Sequence, residues 1–204
     1  MRKIIPIDRY FEEMNLPEEE KRRRESLAIE LEMLFYLLFT EISAEKVLHS
    51  DRSEINTEYY KEMAYRRYCE ETEVYIVLVA ALLKDQLRQN IRSRISDIVD
   101  TTLKFDDEFY TSKDRATMLG CNEANYVGND VQFDKAKGLY TRKQWVTMND
   151  EKVRPSHIAV DSQIIGINEY FKVGNAEMLY PMDMSRNAPP EETTNCRCTI
   201  SYLK

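Results

Sequence analysis

The distribution of glycine and proline constrains the fold of this chain more than any other feature. No proline lies between Pro17 and Pro155, and all five glycines stand at or after Gly120. Both residue types disfavour the interior of a helix, so residues 18–119 lack the usual helix breakers. The first half of the chain is therefore predicted to be almost entirely helical, with strands only after Gly138.

Apolar residues in the first half recur every three or four positions, which is the period of an amphipathic helix. A first helix is predicted from about Asn15 to Ser50, a second from about Thr57, and a third over 73–105. The buried stripe of the first helix consists of Leu27, Leu31, Leu34, Leu38 and Ile42. The stripe of the third consists of Leu83, Leu87, Ile91, Ile95 and Ile98. The third helix begins with VYIVLVAALL, which is apolar on all sides and predicts burial among other helices.

The second half alternates short helices with strand patterns. Ser112 can cap a helix through Met118, and a further helix fits residues 122–137, with Gly138 as its stop. Three segments favour strands, namely LYTRKQWVT, QIIGI and CRCTISYL. The last of these alternates, which puts Cys196 and Cys198 on one face. The pattern predicts an α+β protein, with a helical region over 1–113 and a small antiparallel sheet domain over 114–204.

Composition excludes several classes of protein. The chain has 204 residues with a net charge of −7, so as a whole it is not a basic nucleic-acid binder. Its longest apolar run is far shorter than a bilayer span, and charges return too early at the start for a secretory leader. Four cysteines are too few for a disulfide-stapled secreted scaffold. We expect cytoplasmic synthesis, reduced cysteines and no membrane association.

Residues 145–198 hold the candidates for a functional site. The Trp145 side chain is the sole indole, and Asp150, Arg154, His157 and Asp161 follow within a short stretch. On a helix or tight turn, their spacing would bring these four side chains together. Such a group is either a metal or acid/base site or an ion-paired network that holds loops to the sheet. We favour the structural network, because an arginine between carboxylates stabilises irregular backbone.

Two cysteines and a histidine offer a second interpretation. Cys196 and Cys198 lie within Asn195-Cys196-Arg197-Cys198, and their spacing puts both thiols on one face of a strand. With His157 they would supply three zinc ligands, and Cys121 or a carboxylate could supply a fourth. The alternative is two small residues packed inside a terminal strand. We expect no cofactor, with zinc as the alternative, because CxC is a weaker signal than paired CxxC motifs.

A basic stripe is the third candidate. Lys84, Arg88 and Arg92 are spaced four residues apart, and Arg94 is nearby. DNA phosphates or an acidic protein surface could bind there. The more ordinary interpretation is the solvated face of an amphipathic helix.

The ordered motif residues of the second half resemble the phage Mu protein F-like family of minor head proteins. The family pattern is Lys-x-Trp, Asp, Arg-x-x-His, Asp-Gly, Phe, Pro-Gly-Asp and Asn-Cys-Arg-Cys. The residues that carry the resemblance are Lys143, Trp145, Asp150, Arg154, His157, Asp161, Phe171, Pro181, Asp183, Asn195, Cys196, Arg197 and Cys198. The resemblance covers roughly residues 115–203 and marks Trp145, Asp150, Arg154, His157, Asp161, Asn195 and Arg197 as motif residues.

Three departures from the family pattern are visible. Ser162 stands where the family usually has glycine after the aspartate, and Met182 stands between Pro181 and Asp183 where it has glycine. The family tends to carry Arg-Thr-Glu before the sheet, and here only Glu123 of that motif is kept.

The resemblance implies a minor protein inside the phage head, made in the host cytoplasm and placed next to the portal. Its implied partners are the portal and major capsid proteins and, as a further candidate, packaged DNA. Its implied role is head assembly, DNA packaging or DNA delivery, and the helices could also mediate self-association. No enzyme activity is implied. The alternative is a hydrolase or toxin-like effector that uses His157 with Asp161 or Glu123.

Overall fold

A computed structural model describes residues 4–204 of the chain. Its helices are α1 (Ile7–Glu12), α2 (Glu18–Leu48), α3 (Thr57–Leu78), α4 (Asp85–Lys104), α5 (Lys113–Ala136), α6 (Pro155–Ile158) and α7 (Pro190–Thr193). Its strands are β1 (Arg142–Val146), β2 (Ile164–Gly166), β3 (Phe171–Val173), β4 (Ala176–Met178) and β5 (Thr199–Leu203). This order confirms the α+β prediction, and within the described residues no strand precedes β1.

The chain forms two compact units. The helical unit contains residues 4–7 and Ser26–Cys121, and the sheet unit contains Asp8–Glu25 and Asn122–Lys204. Most of α1 and the start of α2 therefore pack with the C-terminal residues, which no sequence pattern indicates. Among the helices of residues 4–204, none has both the length and the hydropathy needed to span a membrane.

The core of the helical unit follows the predicted stripe of α2. Leu27, Leu31, Leu34, Leu38 and Ile42 are all buried, which confirms the period found in the sequence. Three glutamates occupy the first turn of α2, where their charge complements the positive end of the helix dipole. Within the core, the Phe35 ring of α2 meets the Tyr68 ring of α3 edge to face at 6.3 Å.

The prediction of one long helix over 73–105 is wrong, because α3 ends at Leu78 and α4 begins only at Asp85. Ala80 adopts a left-handed conformation with φ of 51°. The Ala81 amide donates to the Ile76 carbonyl, and the Ala80 amide donates to that of Val77. This is the bonding pattern of a Schellman cap, which usually has glycine at the left-handed position. With alanine there, the sequence carries no recognisable stop signal.

The predicted burial of VYIVLVAALL is also only half right. Tyr75, Ile76 and Val79 are buried in the helical unit. Four apolar neighbours are exposed, namely Val74, Val77, Leu78 and Leu82. The segment therefore buries one of its sides. Because it is apolar on all sides, its other side is an apolar surface exposed to solvent.

The sheet unit is built around β1. The three-stranded sheet has the order β2-β1-β5 with antiparallel pairing throughout. Trp145 lies opposite Ile200, which confirms the predicted pairing of the tryptophan strand with the C-terminal strand. The β3–β4 hairpin was not predicted. The last strand begins at Thr199, so the prediction that Cys196 and Cys198 lie on it is wrong; the cysteines precede it.

Helix α5 replaces the two helices predicted over 112–137. Ser112 caps it as expected, since its Oγ accepts the Arg115 amide at 3.2 Å. The helix continues through Gly120, where the sequence indicated a division. At this point α5 lies directly against α2: a Cβ on Gly120 would be 2.6 Å from the Ala28 carbonyl oxygen and 2.9 Å from the Glu32 nitrogen.

We predict that Gly120→Ala destabilises the helical unit by about 2–3 kcal/mol, because the added methyl group would overlap backbone atoms that cannot rotate away. Gly138→Ala is the matched control, since a Cβ at Gly138 would meet no atom of the described residues within 4 Å. The control should change stability by no more than about 0.5 kcal/mol. Urea unfolding followed by circular dichroism measures both. Equal stability of the two variants would contradict the close approach of α2 and α5.

Candidate functional site

Three asparagines of α5 hold the backbone that precedes β5. The Asn195 amide donates to Asn122 Oδ1 at 2.8 Å, and Asn125 Nδ2 donates to the Cys196 carbonyl at 2.8 Å. Asn129 Nδ2 donates to the Cys198 carbonyl at 3.4 Å. Their spacing of three and four residues puts them on one face of α5. We call Asn122, Asn125 and Asn129 the amide ladder; it fixes the path of the Asn-Cys-Arg-Cys segment.

A buried arginine orients the amide ladder. Arg24 is fully buried in α2 and its Nε donates to Glu20 at 2.8 Å. Its Nη1 donates to Asn125 Oδ1 at 2.6 Å and to Asn129 Oδ1 at 2.9 Å. Because the guanidinium takes both amide oxygens, the two Nδ2 groups are left to donate to the carbonyls of Cys196 and Cys198.

The fixed backbone brings two thiols to one histidine. His157 Nδ1 lies 3.3 Å from Cys198 Sγ and 3.7 Å from Cys196 Sγ. All three side chains are between 1% and 3% exposed. On the other side of the ring, His157 Nε2 is 3.1 Å from Glu192 Oε2. We call His157, Cys196 and Cys198 the Cys-His cluster.

Trp145 closes the cluster from the sheet. Its ring meets His157 edge to face at 5.6 Å and Phe171 at 5.2 Å. This confirms the prediction that Trp145, His157 and the two cysteines form one compact group. In the described chain the indole N–H has no partner of ordinary hydrogen-bond geometry. The hydrogen bond with Cys196 and burial raise the pKa of Cys198, whereas the nearby Trp145 indole lowers it.

The three groups of the cluster shift one another's protonation. A hydrogen bond from the Cys198 thiol holds the pKa of Cys196 well below its ordinary value despite burial. The same bond, together with burial, raises the pKa of Cys198 well above its ordinary value. Burial lowers the pKa of His157, but the hydrogen bond and charge of Cys196 outweigh it and leave the pKa raised. A thiolate at Cys196 is therefore stabilised beside the imidazole.

The other motif residues make their hydrogen bonds and ion pairs with groups outside this cluster. The Arg197 guanidinium pairs with Asp150, and Arg154 donates to the Thr194 carbonyl. Asp161 Oδ1 accepts the amide and the hydroxyl of Thr147, each at 2.8 Å. Asp150, Arg154, His157 and Asp161 thus do not form the single group suggested by their spacing. Helix α6 spans only residues 155–158, so no helix aligns the four.

The carboxylate beside His157 was not predicted. It belongs to Glu192 of α7, whose Oε2 also accepts the Ser156 hydroxyl at 2.7 Å. The sequence alternatives were Asp161, which is bonded to Thr147, and Glu123, which is buried in α5. Glu192 stands in an ordinary Pro-Glu-Glu helix start, so no motif marked it.

The basic stripe lies in the helical unit, and its residues Arg88 and Arg92 are ion-paired. Arg88 Nη2 is 2.6 Å from Glu73, and Arg92 Nη1 is 3.0 Å from Glu62. The Arg92 guanidinium also stacks 3.8 Å from the centre of the Tyr65 ring. Lys84 occupies the N-cap position of α4, which also carries Arg94. A nucleic-acid or partner contact through these residues stays a prediction.

Comparison with known sequences identifies the family. The sequence model described as phage Mu protein F like protein matches residues 72–201. The chain belongs to the phage Mu protein F-like family. The match extends well beyond the motif residues into α3 and α4 of the helical unit. No curated protein and no solved structure matches the chain significantly.

The two departures from the family's glycines keep the backbone that glycine favours. Ser162 has φ of 62° and Met182 has φ of 71°, both in the left-handed region. A non-glycine residue there costs about 1 kcal/mol or more. Both turns therefore have a backbone conformation that glycine favours, although neither position is glycine.

Lys143, the lysine of the family's Lys-x-Trp motif, is a buried amine. Lys143 stands two residues before Trp145 in β1, so both side chains lie on the buried face of the strand. Its Nζ lies 4.7 Å from the Phe133 ring centre and 5.5 Å from that of Phe171. Among the described residues it has no hydrogen-bond partner. Burial lowers the pKa of Lys143 to about 8, although the charge of Asp183 opposes the shift.

We predict that Asn125→Ala destabilises the sheet unit by about 2–3 kcal/mol, because Arg24 and the Cys196 carbonyl each lose a buried hydrogen bond. Gln132→Ala on the same helix is the control and should change stability by less than about 0.5 kcal/mol. Thermal unfolding of both variants provides the measurement. A loss in Asn125→Ala no larger than the control's would show that the amide ladder does not support the fold.

We predict that Lys143→Met stabilises the protein at pH 7 by about 1–3 kcal/mol, since methionine fills the site without a buried charge. The folded pKa of about 8 lies below the ordinary value of 10.5. The folded state therefore binds fewer protons between these values, and wild-type stability gains as pH rises through that window. The advantage of methionine should shrink by pH 10. Urea unfolding at pH 7, 8.5 and 10 tests this; a constant difference would contradict it.

Proposed function

We propose that this protein is a minor head protein that acts inside the phage head, docks on the portal or the capsid shell, and assists head assembly, DNA packaging or DNA delivery. The observation that carries the proposal is the family match over residues 72–201. That match indicates a phage head morphogenesis protein. The finer roles are inferred from the surface of the helical unit.

One side of α2 presents apolar side chains to solvent. Ile29, Met33, Tyr36 and Leu37 are between 44% and 55% exposed. Their spacing of four, three and one residues puts them on adjacent rows of the helix. A contiguous exposed apolar surface marks an interaction site more often than a solvated one. We call these four residues the docking face.

A second apolar surface follows the end of α3. It consists of Val74, Val77, Leu78 and Leu82, of which Val77 is 75% exposed. These residues lie within the family match over 72–201. We infer that the portal protein covers one or both surfaces, with the major capsid protein as the other candidate partner.

Packaged DNA is a weaker candidate partner. The chain has a net charge of −7, and Arg88 and Arg92 of the basic stripe are each paired with a glutamate of α3. A protein binds DNA by neutralising phosphates with lysine and arginine side chains, and here these glutamates compete with phosphates for them. Contact with DNA through this stripe would be weak and strongly salt-dependent.

The geometry of the Cys-His cluster supports a structural role over the hydrolase or toxin-like alternative. The pocket that its three side chains line has a volume of about 10 Å³. That volume suits about one water molecule. His157 contacts the thiols and Glu192. Asp161, which the hydrolase alternative would pair with His157, is bonded to Thr147.

We predict that Leu37→Glu and Val77→Glu each weaken binding to the portal protein of the same phage by at least about tenfold, because a buried unpaired carboxylate replaces apolar contact. Leu139→Glu is the control, since Leu139 is 69% exposed but lies in the sheet unit. Co-purification and biolayer interferometry with purified portal and major capsid proteins provide the measurements.

Binding of all three variants at wild-type strength would remove both apolar surfaces as docking sites. Loss of binding to the capsid protein alone would move the proposed contact from the portal to the shell. Absence of binding to either partner by the wild-type chain would contradict the docking role itself.

A further inference from the structure

We propose that the Cys-His cluster is a zinc site, with His157 Nδ1 and the thiolates of Cys196 and Cys198 as three protein ligands and a water molecule as the fourth. Packing alone does not require the two thiols to face the same imidazole nitrogen, because any small apolar side chains would fill these positions. The convergence of three metal-ligating atoms on one point therefore favours an ion.

The donor spacing fits a metal ion. Zinc lies about 2.3 Å from cysteine sulfur and about 2.0 Å from histidine nitrogen, so tetrahedral geometry puts these two ligand atoms about 3.5 Å apart. The observed distances from His157 Nδ1 are 3.3 Å to Cys198 Sγ and 3.7 Å to Cys196 Sγ. All three donor atoms lie within 4.8 Å of one another. Both nitrogen–sulfur distances therefore already lie close to the value for two ligands of one tetrahedral ion.

Glu192 provides the support that a metal-bound histidine usually has. A ligating imidazole commonly donates its second N–H to a carboxylate, which fixes its tautomer and its orientation. Here Nε2 faces Glu192 Oε2 at 3.1 Å, and that oxygen is held in turn by the Ser156 hydroxyl. With Nε2 protonated, the Nδ1 lone pair is directed to the side of the ring where both sulfurs lie.

The charges of the three ligands match a zinc ion, because two thiolates neutralise one divalent cation. The Trp145 indole N–H, which lacks an ordinary partner among the described residues, lies near Cys198. A metal-bound sulfur keeps lone pairs that can accept such a donor. These polar groups thus each have a counterpart in the zinc-bound state.

The fourth position faces the small pocket beside the cluster. His157, Cys196 and Cys198 all line it, together with Arg154 and Asn195. Its volume of about 10 Å³ suits a single bound water. The ion would connect α6 to the segment before β5, which is distant from it along the chain. Such a link stabilises a unit whose main sheet has three short strands.

Metal content tests the proposal directly. The full chain, purified under reducing conditions without chelator or histidine tag, should contain about one zinc ion per molecule by elemental analysis. After zinc is stripped, cobalt(II) should restore binding with the visible and thiolate charge-transfer absorption of a tetrahedral sulfur-ligated site. Cys196→Ser and Cys198→Ser should each lose this absorption. Cys69→Ser is the control, because Cys69 is buried in α3 of the helical unit, and it should keep the absorption.

Glu192→Gln separates ligation from folding. It keeps all three ligands and should weaken metal affinity about 10- to 100-fold while binding remains saturable. This variant and the wild-type titration decide the question if the cysteine variants do not fold. A reduced, folded wild-type chain that carries no zinc and shows no cobalt absorption would overturn the proposal. So would cobalt absorption that survives in both Cys196→Ser and Cys198→Ser.

Discussion

The sheet unit depends on the ion pair and the hydrogen bonds of the buried Arg24 guanidinium. A fully buried charge destabilises a fold unless it is paired and hydrogen-bonded. Glu20 supplies the pairing one helical turn earlier, and Asn125 and Asn129 supply the bonds from α5. Gly128 makes this arrangement possible, since a Cβ there would lie 2.2 Å from Arg24 Nε. Helix α5 can therefore approach the arginine closely enough for both amides to reach it.

Arg24 also determines the geometry of the candidate site, because the asparagines that it binds hold the backbone of the two cysteines. Arg24 fixes the amide oxygens, and the amide nitrogens then hold the carbonyls of Cys196 and Cys198. The Tyr10 hydroxyl of α1 reinforces the first of these at 2.8 Å. A carbonyl held on the α5 side leaves the thiol to project toward His157. The polar network thus sets the direction of the side chains, while Trp145 and Phe171 of the adjoining strands exclude water from them.

Sequence patterns predicted the features of the fold that depend on local periodicity. They did not predict the features that depend on polar contacts between residues distant in the chain. The α2 stripe, the Ser112 cap and the Trp145 pairing follow from spacing and propensity, and the structure confirms them. The union of residues 8–25 with the sheet unit depends on Arg24 and on the asparagines that it binds. Those residues have no apolar period and resemble solvated helix surface in the sequence. Glu192 was missed for the same reason, and the end of α3 was missed because alanine occupies its left-handed cap position.

The replaced family glycines show how such a network tolerates substitution. At Ser162, the strained backbone is held by its own carbonyl, which accepts from Gln144 at 3.2 Å, and by its hydroxyl, which donates to Asp161. At Met182, the side chain is buried and its sulfur accepts from Asn125 Nδ2 at 3.6 Å. Burial of a methionine side chain contributes about 1.5–3 kcal/mol, which offsets a left-handed φ that costs about 1–2 kcal/mol. The side chain that departs from the family pattern has thus become a contact of the amide ladder, so the turn and the ladder support each other.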